Sequence, residues 1–500
     1  MSPARLVTLL AGLAVLAAAG PAAAADPVAG AQRIKYRFGP LHVTPGQNTI
    51  DIAPTSLRPE VPGYIVRFQP DLEYTDGSKP SVGVLHLHHG VWLVNGEPRF
   101  AVGEEKTIVT MPEGYGYRYR PQQSWLVNYM IHNLTRKPDD VYITYTIDFI
   151  PDSAPQAAGI TPVHTQWMDV AGLKTYPVFD AKRGTGKKGR LTFPDDVPND
   201  PAIGSAGTWT VTQPTTLVST AAHLHPGGLN GYLTVTRGDR TRRIFTSNAK
   251  YYEPAGAVSW DVAMEGTPPD WRVALQPGDV VKLHAVYDVS KASWYEVMGI
   301  MPIAVADNST AGLDPFDPAL NMKGQLTHGR LKENVDTGGR YTGLSNPLKL
   351  LSGPVLSGVK IDDFTYGQGD LTLSGVGRRP AVVRPGQTLT FTNQDAYITE
   401  NGGIFHTITA CKLPCNKSGG IGYPLADGPV DFDSGELGFG PALGTAAANT
   451  ATWSTPANLK PGTYSYFCRV HPFMRGAFRV EAKKKRKAEK KRQAKAKRKA

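Results

Sequence analysis

Few stretches of this chain have the apolar spacing of an amphipathic helix, whereas short apolar runs rich in valine, threonine and tyrosine recur between turn residues. Glycine occurs 53 times and proline 41 times, and both residue types favour turns. Residues 84–93 and 125–133 each have the pattern of one strand. The predicted fold class is therefore all-β.

The length of 500 residues exceeds what one hydrophobic core organises, and it predicts three domains of ordinary size. We place the first domain at residues 26–160, the second at 161–306 and the third at 354–480. Residues 307–353 are rich in glycine, asparagine, aspartate and proline, which predicts a linker.

Residues 1–25 have the pattern of a secretory signal peptide. Arg5 supplies a short positive region, residues 6–20 are apolar, and alanines 23–25 fit a cleavage site before Asp26. The apolar stretch is too short to span a bilayer, and no other stretch approaches the ~20 apolar residues of a transmembrane helix. The predicted location is periplasmic, extracellular or at the cell surface.

Nearly all of the net charge of +11 lies in residues 481–500, which hold twelve Lys/Arg and two Glu. Arg5 supplies the remaining unit, and residues 26–480 are neutral. Because such a run repels itself, we predict a disordered tail with an anionic membrane surface or a cell-wall polymer as partner. A solubilising tail without a partner is the alternative, and nucleic acid is not expected outside the cell.

Four residues near the C-terminus carry a distinctive set of metal-ligating side chains. Cys468, His471 and Met474 lie within seven positions, and His406 lies about sixty positions upstream. One thiolate, two imidazoles and a weak thioether are the ligands of a blue-copper electron-transfer centre. Thiolate and thioether favour Cu(I) and imidazole serves both oxidation states, so such a site suits electron exchange.

The motif Cys468-x-x-His471-x-x-Met474 resembles the cupredoxin family, in particular its amicyanin and pseudoazurin members. The resemblance covers residues 355–480. It implies a Greek-key β-sandwich or barrel for the third domain, with type 1 copper bound by His406, Cys468, His471 and Met474. A buried cysteine and methionine beside an incidental histidine is the alternative.

Cys411 and Cys415 follow His406 closely. They are a candidate second soft-metal pair, but in an oxidising compartment a loop disulfide is the expected state. Two of the three cysteines would then pair, and Cys468 would be occupied by metal.

Eight of the twelve histidines lie between residues 86 and 284, and six of these fall in three short motifs. The six are His86, His88 and His89 in one predicted strand, His132 at the end of another, and the His-x-His pair His223 and His225. On a regular strand His88 and His89 face opposite sides unless a bulge intervenes. His-x-His side chains share a face and can chelate one ion, as they also do in zinc hydrolases and cupins.

The order of these motifs, with a methionine about seventy residues later, resembles the two-domain copper monooxygenases, the peptidylglycine α-hydroxylating and dopamine β-monooxygenase family. The resemblance covers residues 30–305 and implies two jelly-roll-like β-sandwiches whose two coppers are separated by solvent. Carried over by position, His88, His89 and His132 would bind an electron-transfer copper. A catalytic copper would be bound by His223, His225 and Met298.

The chain departs from that family in some respects. No cysteine precedes Cys411, so the family's disulfides are absent. Met301 is an alternative to Met298, and His86 is a spare imidazole that could replace a neighbour. The alternative is that the histidines of these two domains are only structural. For His164, His284 and His328 we expect a structural role.

These patterns lead to the hypothesis of an exported copper oxidoreductase, a monooxygenase by resemblance, with one type 1 copper and two further mononuclear coppers. Electrons would come from a donor protein or small reductant, enter at Cys468 and pass to the amino-terminal coppers. The alternative is a non-catalytic blue copper shuttle or copper carrier with scaffold domains at its N-terminus. The sequence does not name a substrate.

Overall fold

A computed structural model describes residues 27–172, 176–252, 260–334, 344–398, 403–411, 413, 431–439, 449–471 and 473–482. These residues form strands and short 3-10 turns, which confirms the predicted all-β class. In the described part of the chain, no helix has the length and apolar character needed to cross a membrane. The predicted signal peptide and residues 483–500 of the basic tail lie outside the described residues.

Two sheets face each other in the first domain, and aromatic rings fill the space between them. The Phe68 ring lies 4.8 Å from Trp92 and 5.6 Å from Tyr145. The strands are β1 (Gln32–Val43), β2 (Ile50–Pro54), β3 (Gly63–Tyr74), β4 (Leu85–Val94), β5 (Glu97–Gly103), β6 (Val109–Thr110), β7 (Tyr115–Tyr119), β8 (Trp125–Asn133) and β9 (Asp139–Pro151). One sheet has the order β1-β9-β3-β7 and the other the order β2-β8-β4-β5.

The second domain shares a continuous sheet with the first. Its strands are β10 (Thr161–Gln166), β11 (Phe179–Ala181), β12 (Arg190–Phe193), β13 (Thr208–Thr210), β14 (Thr215–Thr220), β15 (His223–Leu224), β16 (Gly228–Arg237), β17 (Arg240–Tyr251), β18 (Val262–Gly266), β19 (Val273–Leu275), β20 (Val280–Asp288), β21 (Trp294–Val297), β22 (Gly299–Ile300) and β23 (Ile303–Asp307). Strand β10 pairs with both β7 and β23, which joins the two domains. The facing sheet has the order β12-β20-β16-β17-β18.

Part of the segment predicted as a linker pairs with the second domain. Strand β24 (Gln325–Leu326) pairs with β18. The buried Asn334 accepts a hydrogen bond from the Val82 backbone N–H at 3.1 Å and donates one to Asp261 at 3.2 Å. This segment therefore lies across the first and second domains.

The third domain is a sandwich of two small sheets. Its strands are β25 (Gly358–Ile361), β26 (Ala381–Val383), β27 (Thr390–Asn393), β28 (Thr409–Cys411), β29 (Gly438–Phe439), β30 (Asn449–Thr450), β31 (Thr452–Ser454), β32 (Gly462–Phe467) and β33 (Arg475–Val480). The two sheets have the orders β25-β27-β31 and β26-β33-β32-β28. Its buried apolar side chains form one continuous cluster with those of the second domain, so the two domains are packed together.

Candidate metal centres

The antiparallel strands β32 and β33 bring the C-terminal ligand residues together. Cys468 directly follows β32, and Met474 directly precedes β33. Two backbone hydrogen bonds close the loop between them: Cys468 N–H donates to Met474 at 3.2 Å, and Met474 N–H donates to His471 at 2.9 Å. Strand β28, which pairs with β32, carries the chain that places His406 beside this loop.

The four predicted ligands of type 1 copper are all buried, and three of them converge. Cys468 Sγ lies 3.9 Å from Nδ1 of His406 and 3.9 Å from Nδ1 of His471, and the two Nδ1 atoms are 3.2 Å apart. Nitrogen and sulfur ligands bind transition ions at about 2.0 and 2.3 Å, so one ion fits between these three atoms. Met474 is fully buried at the end of the same loop.

The surroundings of Cys468 favour its thiolate form. Burial by itself raises the pKa of Cys468, but His406 and His471 outweigh burial and hold that pKa well below its ordinary value. The backbone N–H groups of Thr407 and His471 both donate to Sγ at 3.3 Å. Asp395 Oδ2 lies 2.8 Å from Nε2 of His406, which leaves Nδ1 of His406 free to bind an ion.

His471 is buried beside Phe364, and the first domain contacts the residues around it. His471 is 1% exposed, and its ring lies 5.0 Å from the Phe364 ring. Arg136 of the first domain donates to the Phe364 carbonyl at 2.5 Å and lies over the Phe473 ring at 5.1 Å. Within the described residues, Nε2 of His471 has no hydrogen-bond partner.

The histidines of the first two domains form one cluster. A bulge in β4 between Leu87 and His89 places His88 out of regular register with β8. The His88 ring consequently lies 4.3 Å from the His132 ring and 4.4 Å from the His225 ring. Two coppers separated by solvent, which the monooxygenase resemblance implies, do not fit this arrangement, because the two predicted ligand sets are in contact.

Hydrogen bonds engage some ring nitrogens of this histidine cluster and leave others free. His86 contacts the Val82 carbonyl at 2.9 Å, and His89 contacts Asn128 Oδ1 at 3.2 Å. Among the described residues, both ring nitrogens of His132 and the Nε2 atoms of His86 and His225 have no partner. Burial lowers the pKa values of His88, His132 and His225 well below 6.5, so these rings are neutral and their lone pairs can bind a metal ion.

The two candidate methionines lie in different environments. Met298 packs in a small buried cluster with Met130 and Tyr176. The pairing of β15 with β22 brings the chain at Met298 alongside His225. Met301 belongs instead to the large core of the second and third domains. The placement therefore favours Met298, the residue assigned from the sequence.

A pocket opens where the three domains meet, and we call it the junction pocket. Its lining includes His88, Met130 and His132 of the first domain, His225, Trp260 and Glu296 of the second, and Glu436, Arg469 and Val470 of the third. Arg469 and Val470 lie between the ligands Cys468 and His471 in sequence. Burial, and then the charge of Glu296, raises the pKa of Glu436 to about 8. Glu296, Glu436 and Arg469 were not predicted from the sequence, although the position of Arg469 beside Cys468 was a signal.

The remaining histidines have local partners. His164 Nε2 lies 2.9 Å from Asp307, and His284 Nδ1 lies 2.8 Å from Asp195. His328 Nε2 lies 2.5 Å from the Glu105 carbonyl. These contacts agree with the structural roles expected of the three histidines.

Of the two cysteines in the predicted disulfide, only Cys411 lies within the described residues. Cys411 is disulfide-bonded and lies at the end of β28, where its carbonyl accepts a hydrogen bond from Ser465 at 3.2 Å. Cys415 lies outside the described residues. Cys468 is free and buried.

No protein-family model matches the chain, and no curated protein matches it. Among solved structures, a Cu(I) form of an amicyanin mutant is 17% identical with a TM-score of 0.15, covering 28% of this chain and 91% of amicyanin. The Cu-containing nitrite reductase of Thermus scotoductus SA-01 is 14% identical with a TM-score of 0.17, covering 55% of this chain and 59% of the reductase. The STIV MCP is 7% identical with a TM-score of 0.29, and the match covers 55% of this chain and 97% of the STIV MCP. Scores this low carry no functional conclusion.

Proposed function

We propose that this protein is an exported copper oxidoreductase in which a type 1 copper at Cys468 exchanges electrons with a second copper in the junction pocket. The observation that carries this proposal is the shared loop. Arg469 and Val470 line the junction pocket, and their neighbours Cys468 and His471 are the type 1 ligands. The loop of the proposed type 1 centre therefore forms part of the wall of the pocket that would hold the second copper.

The first centre rests on its ligand geometry. His406, Cys468 and His471 converge with the spacing that one ion requires, and the surrounding protein stabilises the thiolate. A bound copper would supply one-electron exchange at this position. The burial of His471 supports electron transfer inside the molecule over docking of an external partner directly at its ring.

The second centre would be held by His88, His132 and His225, whose neutral rings meet at the junction pocket. Met298 is a candidate further ligand. Beside them, Glu436 retains a proton on its carboxyl at neutral pH and can deliver it to a bound substrate oxygen. A monooxygenase reaction is supported only by the order of the sequence motifs, so we propose the broader oxidoreductase class.

Copper content and spectroscopy of the full-length protein test the proposal. We expect an intense blue thiolate band and, by electron paramagnetic resonance, an additional copper without that colour. Cys468→Ala should lose the blue band, keep the second copper and lose turnover with an external reductant. The exposed His164→Ala variant should keep all three properties.

Two results would contradict the proposal in different ways. A copper-loaded protein without the blue band would exclude the type 1 centre. One blue copper per chain, with no second signal, would instead favour the electron shuttle or copper carrier.

A further inference from the structure

A tight turn after β5 holds two adjacent glutamates, Glu104 and Glu105. The Lys106 N–H donates to the Gly103 carbonyl at 3.0 Å and closes this turn. The ammonium of Lys106 lies 2.8 Å from Asp71 and 3.1 Å from Glu333. This cation is therefore engaged with other carboxylates.

The two glutamates converge with His223 of the second domain. Ligand atoms of Glu104, Glu105 and His223 all lie within 4.8 Å of one another. Both glutamates are 1% exposed and His223 is 7% exposed, so water contributes little to their solvation. His223 Nδ1 lies 3.0 Å from Glu105 Oε2.

The Glu104 carboxyl is buried in this cluster without a partner. Neither of its oxygens has a hydrogen-bond partner among the described residues. Glu105, in contrast, accepts a hydrogen bond from the Gly103 N–H at 3.0 Å in addition to its contact with His223. Burying an unpaired carboxyl is costly, which indicates a ligand that the protein atoms do not supply.

Gly103 makes the close approach of His223 possible. A Cβ atom at position 103 would overlap Cε1 of the His223 ring and lie 2.6 Å from Glu105 Oε2. A cavity of about 250 Å³ reaches this cluster, and its lining includes Glu105, Thr107 and His223. It is lined by a different set of residues from the junction pocket, so an ion can reach His223 by its own route.

We propose that Glu104, Glu105 and His223 bind a divalent first-row transition ion at a site separate from both copper centres. Two carboxylates and one imidazole, without sulfur, suit ions such as Mn²⁺, Fe²⁺ or Zn²⁺. A bound cation would favour the ionised form of both buried carboxyls. The site takes His223 out of the copper ligand set predicted from the sequence, and it does not depend on the proposed function.

Titration of the copper-loaded, full-length protein with Mn²⁺ tests the site, because free Mn²⁺ is counted directly by electron paramagnetic resonance. We expect one Mn²⁺ per chain. Glu104→Gln keeps the shape of the side chain but removes a ligand charge, and should weaken binding at least about tenfold. Glu97 is exposed at the start of β5, the strand that precedes the two glutamates, and Glu97→Gln should leave binding unchanged.

A second measurement uses the unmodified protein and so does not depend on the folding of a variant. Crystals soaked in Mn²⁺ should show an anomalous peak within about 2.5 Å of both glutamates and of His223. Absence of this peak, or equal Mn²⁺ affinity of the native and Glu104→Gln proteins, would overturn the proposal. The blue copper band reports on Cys468 and not on this site, so failure of the proposed type 1 centre would leave the Mn²⁺ titration and the anomalous peak unaffected.

Discussion

Asp395 lies behind His406, one of the proposed type 1 copper ligands. Its carboxylate lies 2.8 Å from Nε2 of His406 and accepts hydrogen bonds from the backbone N–H groups of Asp363 at 2.8 Å and Phe364 at 3.0 Å. These contacts fix the His406 ring and select which nitrogen faces the metal. Partners of this kind tune affinity as well as orientation.

Asp395→Asn should therefore weaken copper binding by about 10- to 100-fold, because the His406 ring loses its charged partner. Competition with a copper chelator, followed through the blue band, measures the change. Asp362→Asn is a suitable control, since Asp362 is exposed near the same loop. Equal affinities of the two variants would show that Asp395 does not act through the ligand.

Glu436 gives the stability of the protein a defined pH dependence. Burial and Glu296 raise its pKa to about 8 in the folded protein, against about 4.3 for an unfolded glutamate. Between these values the folded state holds more protons than the unfolded state, so stability falls as pH rises.

Glu436→Gln should remove this contribution. Its unfolding free energy should fall less steeply than that of the native protein, by roughly 1 kcal/mol per pH unit between about pH 5 and 8. Urea unfolding at several pH values measures the slopes. The exposed Glu60→Gln variant should keep the native slope, and a native slope in Glu436→Gln would refute the assignment.

Among individual residues, the convergence of His406, Cys468 and His471 could be predicted, because Cys468 and His471 lie in one short loop. The clustering of Glu104 and Glu105 with His223 could not be predicted, because nothing in the local sequence distinguishes the two glutamates from exposed acidic residues. Their role depends on His223, which lies more than a hundred positions away and reaches them through the contact between two domains.

At the scale of elements, the strand predictions succeeded where the pattern was local. Residues 84–93 and 125–133 correspond to β4 and β8. The bulge at His88 was beyond the local pattern, because it is defined by the register of β4 against β8. That one-residue shift decides which rings His88 meets, and therefore which histidines can share an ion.

The loop from Cys468 to Met474 also holds the third domain against the second. Arg469 donates to the Ser293 carbonyl at 3.0 Å and to Asp433 at 2.7 Å, and its guanidinium lies 5.2 Å from the Trp294 ring centre. Arg469 and Asp433 are both largely buried. Removal of the cation would leave the Asp433 carboxylate without its charged partner.

Arg469→Ala should destabilise the protein by about 3–5 kcal/mol, the usual cost of breaking a buried ion pair on one side. Denaturant unfolding of the copper-loaded protein measures this loss. Lys460→Ala removes an exposed cation of the same domain and should change stability by less than about 0.5 kcal/mol. A similarly small change in Arg469→Ala would show that the loop does not hold the domains together.

For the whole molecule, the class of fold followed from the sequence, but the assembly did not. The sequence predicted three β domains with a linker before the third. The structure shows a sheet shared by the first two domains and an apolar cluster shared by the last two. Contacts between domains leave no periodic pattern in the sequence, so the merging of the histidine motifs could not be foreseen.

His471 is buried beside Phe364 and Phe473, which predicts slow access of external oxidants to the proposed type 1 copper. Arg136→Ala removes one hydrogen bond and one cation–π contact, together about 1–2 kcal/mol, from the contact with Phe364 and Phe473. We expect the reduced centre to react with ferricyanide up to about tenfold faster in this variant. Stopped-flow recovery of the blue colour measures the rate.

Lys137→Ala changes the neighbouring exposed cation and serves as the control for charge. Its rate should stay near that of the native protein. Equal slowing in both variants would show that electrostatic attraction of the anionic oxidant, and not the contact of Arg136 with Phe364 and Phe473, sets the rate.

The junction pocket has a consequence for biosynthesis. Its walls come from segments as distant as Asn48 and Val470, so it does not exist until nearly the entire polypeptide has been made and has folded. A metal chaperone that met the nascent chain would find isolated imidazoles and no complete coordination sphere. Metallation of the junction should accordingly be the last step of maturation, after the third domain has docked.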